Sequence, residues 1–267
     1  MLKILVTGSS GYIGSHLSKR LEDRYEVSAL DLKLPQTSRL ADWYQTDIRN
    51  SFDLTTHFDC VIHLAALVNV GDSQQHAADY YQTNVAGTQN VLAGVTSRNV
   101  IFASTGAVVA ADSVYAKTKQ AAEHVVAASN CDYTIFRISN VLGTAGFAAT
   151  NTQGLWHRLC HADGTFTING TDYDTADGTC VRDFVHVVDV CAAIEAAITR
   201  PANRVECLGS GTGYSVQQAV EAFQQVNNIK LAVRYGARLA GDTAVSVAPT
   251  TSSYFTATHT LAEMLKR

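Results

Sequence analysis

The sequence predicts an α/β protein built on a doubly wound parallel sheet, with a small C-terminal lobe. Through the first half of the 267-residue chain, short apolar runs alternate with amphipathic stretches, as they do in successive βαβ units. After about Ile138 the alternation loosens, and glycine and polar residues become frequent between Gly143 and Gly178. We therefore expect a main domain over residues 1–140 and a smaller lobe over residues 141–267. Part of residues 187–210 is expected to return to the main sheet.

Each element is predicted from the period of its apolar residues. Short apolar runs predict strands at Lys3–Thr7, Glu26–Asp31, Tyr44–Ile48, Cys60–Ala65, Val100–Ser104 and Tyr133–Ile138. A helical period predicts helices at Tyr12–Asp23, Asp79–Ser97, Tyr115–Ala128 and Val187–Thr199, with a shorter one near Leu155–Ala162. Ser215 is expected to cap a further helix that begins at Val216.

Composition excludes several classes of protein. Hydrophobic residues make up 46% of the chain and charged residues 16%, and the formal net charge is −4. Average soluble chains carry about 25% charged residues. This chain has fewer, and its apolar residues suffice for a large core. The acidic balance provides no basic surface for nucleic acid, and no apolar run approaches the roughly 18–20 residues that span a membrane. We expect neither nucleic-acid nor membrane partners.

The cysteines and histidines predict neither a disulfide framework nor a metal site. The six cysteines are widely spaced and form no C-x-x-C pair, which is typical of reduced thiols in a cytoplasmic protein. His157, Cys160 and His161 would share one helical face, as metal ligands could. Such short spacings also arise by chance, so we predict no metal.

The most informative local pattern is the turn Gly8-Ser9-Ser10-Gly11-Tyr12-Ile13-Gly14, which follows the first predicted strand and opens the first predicted helix. Glycine lets the backbone approach a pyrophosphate, and the helix N-terminus supplies amide donors and the positive end of a dipole. Asp31 ends the next strand, where a carboxylate can accept the ribose hydroxyls of adenosine and would repel a 2′-phosphate. The pattern predicts a Rossmann-like domain that prefers NAD to NADP.

Tyr115 and Lys119 form a second candidate site. Four residues apart on a helix, they share one face on adjacent turns. A nearby ammonium group stabilises a tyrosinate, so we expect the pKa of the Tyr115 phenol to be lowered toward the range of a general base. The hydroxyls of Ser104 and Thr105, at the end of a predicted strand upstream, could relay a proton between a substrate and Tyr115.

Six stretches of the chain form a recognisable set: Val6–His16, Asp47–Asn50, His63–Leu67, Tyr80–Thr88, Ser113–Lys119 and Asp177–Val190. Together they resemble the extended short-chain dehydrogenase/reductases, and most closely the UDP-glucose (UDP-galactose) 4-epimerase family. The last stretch, with Arg182-Asp183-Phe184, is the most specific to sugar-nucleotide epimerases. The similarity extends from residue 1 to about residue 225 and then thins.

The resemblance implies NAD as the cofactor. The residues that it assigns to NAD are Gly8, Gly11, Tyr12, Ile13, Gly14, Asp31, Asp47, Ile48, Ala65, Ala66, Asn84 and Lys119. Among them, Asp47 and Ile48 would flank the adenine. Asn84 would stand beneath the nicotinamide, and Lys119 would hold the nicotinamide ribose.

The resemblance also implies a reaction, the inversion of C4 of a UDP-hexose through a transient 4-keto intermediate. Tyr115 matches the base of the family, and Lys119 belongs to the same catalytic set. Thr105 matches the hydroxyl residue of the triad, with its neighbour Ser104 as the second choice. No metal takes part.

The substrate is expected to meet Asn140, Arg182, Arg238 and Asp242. The planar guanidinium of Arg182 suits the UDP diphosphate, because it can form paired charge-assisted hydrogen bonds. Members of the family pair two helices into a dimer interface. Asp79–Ser97 and Tyr115–Ala128 resemble those helices, so a homodimer is expected.

Three departures from the family pattern leave the substrate open. Val68 stands where epimerases usually carry a basic residue. Leu239 stands where a phosphate-binding arginine is expected, with Arg238 one position earlier. The segment between Thr105 and Tyr115 is much shorter than in typical members. Two alternatives therefore remain: an NAD-dependent dehydrogenase or reductase of a sugar nucleotide or sugar, and a non-catalytic NAD-binding protein.

Overall fold

The computed structural model describes residues 1–36, 39–110, 112–239, 241–249 and 252–267. Its strands are β1 (Lys3–Thr7), β2 (Glu26–Asp31), β3 (Trp43–Gln45), β4 (Leu54–His63), β5 (Val95–Thr105), β6 (Asp132–Ile138), β7 (Asn140–Leu142), β8 (Thr165–Asn169), β9 (Val181–His186), β10 (Arg204–Leu208), β11 (Gly213–Ser215), β12 (Ala232–Gly236) and β13 (Val245–Ser246). Seven of them form one parallel sheet in the order β10-β6-β5-β4-β1-β2-β3. The predicted doubly wound parallel sheet is confirmed.

The helices are α1 (Tyr12–Leu21), α2 (Val70–Gln75), α3 (Ala77–Tyr80), α4 (Gly87–Gly94), α5 (Val114–Ala127), α6 (Leu155–Cys160), α7 (Val187–Ala197), α8 (Val216–Val226) and α9 (Leu261–Met264). A π-helix over Tyr81–Ala86 joins α3 to α4, and a 3-10 turn spans Gly106–Val109. Ser215 caps α8 through a capping box, as the sequence predicted. No helix in the described ranges is long and apolar enough to cross a membrane.

Several element boundaries differ from the prediction: β4 begins at Leu54 and not at Cys60, and β5 begins at Val95 and not at Val100. In two further cases backbone contacts override the apolar period. The helix predicted over Asp79–Ser97 ends at Gly94, and Val95–Ser97 begins β5 instead. At Gly94 a Cβ would lie 2.2 Å from the carbonyl oxygen of Phe52, so the chain passes too close there for any larger residue. The strand predicted over Tyr44–Ile48 covers only Trp43–Gln45, since the amide N–H of Arg49 turns back to the Asp47 side chain.

Apolar cores lie on both faces of the main sheet. One core packs α1 and α7 against the sheet and includes Leu17, Phe136 and Ile194. The other lies beneath α4 and α5 and includes Phe58, Phe102 and Val126. Because α7 and β10 come from residues 187–208, the chain returns from the lobe to complete both the first core and the sheet edge at β6.

The lobe is built from short strands around its own core. β9 pairs with β7, β11 and β13, and β8 pairs with β12. Trp156, Phe184 and Phe223 pack within this third core. The strand β9 leads directly into α7, so the lobe and the main sheet meet beside the carboxyl ends of the parallel strands.

Candidate active site

The carboxyl ends of β1, β2, β4, β5 and β6 open into a cleft of about 1450 Å³. In a parallel sheet these ends lie along one edge, which is where doubly wound folds bind their ligands. The lobe closes the other side of the cleft with residues of α6 and β9. Of the site residues that the sequence predicts, all but Asn84 and Arg238 line this cleft.

The glycine-rich turn has a backbone that only glycine allows. Gly8 has φ +72°, and a Cβ on it would lie 2.6 Å from the amide nitrogen of Ala65. A Cβ on Gly14 would lie 2.1 Å from the carbonyl oxygen of Gly8. Because Gly11, the N-cap of α1, has no side chain to occupy the first amides of the helix, those donors remain available for an anionic ligand. This cradle fits the pyrophosphate of NAD.

Asp31 is fixed beside that turn. Its carboxylate accepts the backbone N–H groups of Ser10 at 2.9 Å and of Lys33 at 3.0 Å. Asp47 lies further along the cleft and forms an ion pair with Arg49, at 2.6 Å between Oδ2 and Nη2. The hydrogen bonds from Arg49 lower the pKa of the Asp47 carboxyl. Two backbone N–H groups therefore hold the Asp31 carboxylate at the edge of the cleft.

A buried hydrogen-bonded chain ties β1, β4 and α4 together behind the cleft. Nδ1 of the fully buried His63 lies 2.7 Å from the hydroxyl of Thr7, and Nε2 lies 3.0 Å from that of Thr88. The Thr7 hydroxyl accepts the N–H of Ala65 at 3.3 Å, and the Thr88 hydroxyl donates to the carbonyl of Asn84 at 2.7 Å. These hydrogen bonds therefore connect the cleft-lining backbone at Ala65 to the π-helix.

Asn84 requires a correction, because the structure places it behind the cleft and not beneath a nicotinamide. It lies in the π-helix and is 1% exposed. Its amide group accepts the N–H of Leu67 at 2.8 Å and donates to the carbonyl of Leu67 at 3.0 Å and to the Thr118 hydroxyl at 3.1 Å. Asn84 thus positions the loop that follows β4, whose residues Ala65 and Ala66 face the cleft.

Tyr115 lies at the base of the cleft, and its backbone position follows from the local sequence. Ser113 caps α5 by accepting the N–H of Ala116 at 3.1 Å, which starts the helix at the cleft, since Ser113 also lines it. The Tyr115 ring is 9% exposed and forms an edge contact with Tyr80. The side chain of Thr105, at the end of β5, acts on the phenol as a hydrogen-bond partner that lowers its pKa. Thr105 and Tyr115 both line the cleft, and their pairing in a proton relay stays a prediction.

The expectation of a lowered phenol pKa is wrong. Burial raises the pKa of Tyr115 to about 12, although the hydrogen bond from Thr105 opposes the shift. Lys119 is 2% exposed, and its ammonium lies 4.1 Å from the centre of the Phe102 ring. Burial lowers the pKa of Lys119 to about 7, opposed by the charge of Glu123. Desolvation therefore outweighs the opposing interaction at each group, which is the hydrogen bond of Thr105 at Tyr115 and the charge of Glu123 at Lys119.

Ser104 is engaged away from Tyr115, which removes it as the second choice for the proton relay. Its hydroxyl donates to Oε1 of Glu123 at 2.5 Å. The same carboxylate accepts from Nε of Arg137 at 2.9 Å and from Nη2 at 2.7 Å. Glu123 follows Lys119 by four residues on α5, and the sequence could have revealed it as the third member of the Tyr115, Lys119, Glu123 face.

The lobe presents Arg182 and Asp242 to the cleft as an ion pair. Arg182 is 7% exposed, and its Nη2 donates to the Asp242 carboxylate and to the carbonyl of Thr243 at 2.8 Å. The adjacent Asp183 is instead held by Ser210, whose N–H and hydroxyl both donate to it at 2.7 Å. Asn140 lines the cleft at the start of β7.

Arg238 requires a second correction, because it points away from the cleft. Its Nε donates to Oδ1 of Asp172 at 2.6 Å, and its guanidinium stacks 4.1 Å from the centre of the Tyr173 ring. Leu239, 50% exposed, lines the cleft in its place. The side chains of successive residues point in different directions, so the loop does not absorb the one-residue offset.

Arg158 of α6 also lines the cleft and was missed by the sequence analysis. The signal available was weak: a cation on a short predicted helix in the lobe.

His157 and His161 on the same helix stack at 4.0 Å. Within the described ranges, no group of three or more His, Cys, Asp or Glu side chains could hold a metal ion.

A family model for the NAD dependent epimerase/dehydratase family matches residues 4–207 of the chain. The chain is 32% identical to UDP-glucose 4-epimerase of Haemophilus influenzae, over 91% of this chain and 88% of that protein. The residues that the family model matches include the glycine turn, α5 and the part of the lobe up to residue 207.

Solved structures show the same architecture. UDP-glucose 4-epimerase of Brucella ovis, in complex with NAD, aligns with a TM-score of 0.84 at 26% identity, covering 99% of this chain and 96% of that one. MoeE5, in complex with UDP-glucose and NAD, aligns with a TM-score of 0.85 at 27% identity, covering 98% and 96%. Both align over nearly the whole chain, lobe included.

Proposed function

The chain belongs to the NAD dependent epimerase/dehydratase family, and from that membership we propose that it is an NAD-dependent epimerase that inverts C4 of a UDP-hexose of the UDP-glucose and UDP-galactose type. NAD is the cofactor, bound by the glycine turn and Asp31. The relatives that act on or bind such substrates are UDP-glucose 4-epimerase of Haemophilus influenzae and MoeE5. The cleft has room for both a dinucleotide and a nucleotide sugar.

One observation carries the proposal. Tyr115 is buried at the base of the cleft, which Thr105 also lines, and Lys119 lies one turn further along α5. A base, a hydroxyl relay and a cation thus meet where the glycine turn and the lobe both face the same space. A purely structural tyrosine would not need a cleft on this edge of the sheet.

In the proposed reaction, Tyr115 takes the proton of the sugar 4-hydroxyl through Thr105 and later returns it to the 4-keto sugar. NAD, when bound, supplies the hydride acceptor and donor at C4. Since burial favours the neutral phenol of Tyr115, positive charge in the cleft must favour its ionisation, and Lys119 is placed on the adjacent turn to contribute it. Arg182 would face the diphosphate, and Asn140 the sugar.

The test is conversion of UDP-galactose to UDP-glucose by the purified protein without added NAD, because the cofactor is not consumed. We expect conversion in the wild type and a loss of about 10²–10⁴-fold in Tyr115→Phe, as for removal of a general base. Tyr235→Phe is the matched control, because Tyr235 is 58% exposed and lies outside the cleft lining. Stoichiometric NADH production from a sugar, without epimerisation, would instead identify a dehydrogenase.

We also propose that the protein is a cytoplasmic homodimer. Its six cysteines are free thiols, which suits a reducing compartment. The helices α3, α4 and α5 pack with the π-helix on one side of the sheet and leave Tyr81 exposed. These helices resemble those that form the dimer interface in the family.

A further inference from the structure

The charges that the lobe contributes to the cleft do not balance. Among the described residues after 140, two cations and one carboxylate line the cleft: Arg158, Arg182 and Asp242. Arg182 and Asp242 are paired with each other. Arg158 has no carboxylate within 4.0 Å in the part of the chain that the structure describes. The lobe therefore presents one uncompensated positive charge to the cleft.

Arg158 is held in place by contacts that leave its charge free. Its guanidinium lies 4.8 Å from the centre of the Phe166 ring, and its Nη2 donates to the carbonyl of Thr167. Burial lowers the pKa of Arg158, as it does for a cation that has lost water without gaining a counter-ion. A half-buried, oriented guanidinium with unused donors favours an anionic partner. Such a partner replaces the favourable interaction with water that the cation lost on burial.

The usual source of a second phosphate-binding cation is missing from this cleft. Leu239 faces the cleft, and Arg238 is bound to Asp172 outside it. Part of the guanidinium of Arg182 is already taken up by Asp242 and Thr243. A diphosphate with two negative charges would therefore meet only partial compensation from Arg182.

We propose that Arg158 supplies the second cation for the diphosphate of the nucleotide substrate. This inference rests on the proposed function, since it concerns the same cleft, but it names a binding residue on α6 that the sequence did not indicate. In this arrangement α6 replaces the loop around Leu239 as the source of phosphate contact. The diphosphate then meets two cations, although Leu239 stands where the family has a phosphate-binding arginine.

The test measures binding of UDP, UMP and uridine by calorimetry, which requires no turnover. Arg158→Gln removes the charge, and Arg158→Met removes it while keeping an apolar stem over Phe166. We expect both variants to bind UDP about 10–100-fold more weakly, the range for losing hydrogen bonds to a charged group, and uridine within about twofold of the wild type. Arg234→Gln, an exposed arginine outside the cleft lining, is the matched control and should change nothing.

Wild-type affinity for UDP in both folded Arg158 variants would overturn the inference. An equal loss of UDP and uridine binding would also overturn it, since that result would place Arg158 on the nucleoside. Wild-type protein that binds no UDP at millimolar concentration would overturn both this inference and the proposed function. Protein that binds UDP through Arg158 but does not epimerise would retain the inference and lose the function.

Discussion

The tautomer of His63 follows from the hydroxyl groups around it. Thr88 donates its proton to the carbonyl of Asn84, so it must accept the hydrogen bond from Nε2 of His63. Nδ1 is then the acceptor for Thr7, whose oxygen in turn accepts the N–H of Ala65. In this hydrogen-bonded network every donor has one acceptor. A protonated imidazole would carry a proton on Nδ1 as well, and that proton would face the hydroxyl proton of Thr7. Only the neutral ring with its proton on Nε2 satisfies every hydrogen bond of this network.

We predict that His63 stays neutral to well below pH 6. Burial and the charge of Lys119 lower its pKa to about 3. Because the unfolded state, with a pKa near 6.5, binds a proton that the native ring refuses, stability is complete above about pH 6.5 and is lost as the pH falls toward 3. Nitrogen NMR of labelled histidine should show the Nε2–H tautomer at pH 5.

His63→Gln provides the control for that pH dependence. His186, with a pKa lowered to about 4 mainly by burial, contributes in the same direction, so only the difference between wild type and variant isolates His63. Urea unfolding at pH 7.5 and pH 5 should show a smaller loss of stability in the variant. An imidazolium signal from His63 at pH 5 would contradict the prediction.

At the scale of elements, the sequence predicted what depends on periodicity and failed where contact geometry decides. β1 and β2 match their predicted bounds, because their apolar runs are buried on both faces and end at a glycine or a carboxylate. The long helix over Asp79–Ser97 is divided into α3, a π-helix and α4, because Asn84 turns inward to hold Leu67. Periodicity alone carries no information about that partner.

In the candidate site, too, some residues could be predicted from the sequence and others could not. The glycine turn, Asp31 and the pair of Tyr115 and Thr105 could be predicted, since their spacing within a strand and a helix fixes their direction. The direction of Arg238 could not be predicted, because it is set by Asp172 and Tyr173, which are distant in sequence. Long-range partners of loop residues leave no local pattern.

The turn from β1 to α1 should tolerate no added methyl group at Gly14. A Cβ there would lie 2.1 Å from the Gly8 carbonyl oxygen, which is backbone and cannot rotate away. We predict that Gly14→Ala lowers the free energy of unfolding by about 1–3 kcal/mol or more, the cost of overpacking, and reduces NAD binding in a fluorescence titration.

Gly71→Ala is the matched control for that substitution. Gly71 lies inside α2, and its added Cβ would meet only a side-chain oxygen at 3.6 Å. Alanine is preferred over glycine within helices by roughly 0.5–1 kcal/mol, so this variant should be as stable as the wild type or more so. Equal stability of the two variants would contradict the account of the turn.

At the scale of the whole molecule, the main domain cannot be separated from the lobe by cutting the chain. Residues 187–208 provide α7, which packs on α1, and β10, which pairs with β6. Their side chains belong to the same core as Leu17 and Phe136. A fragment that stops at residue 140 would expose that core and leave the edge of β6 unpaired.

We therefore predict that the fragment 1–140 does not fold, whereas the full chain unfolds in one cooperative transition. Circular dichroism during urea unfolding and limited proteolysis measure both. A sigmoidal transition and resistance to protease in the fragment would show that the first core closes without α7 and β10.

The position of β10 in the sheet also determines the order in which a newly made chain can become compact. During synthesis β1 to β6 leave the ribosome well before residues 204–208, so β6 is an open edge for that interval. Open edges and uncovered apolar faces are the parts of a nascent chain that pair with other chains. A growing chain is therefore most open to pairing with other chains in the interval before residues 204–208 have emerged.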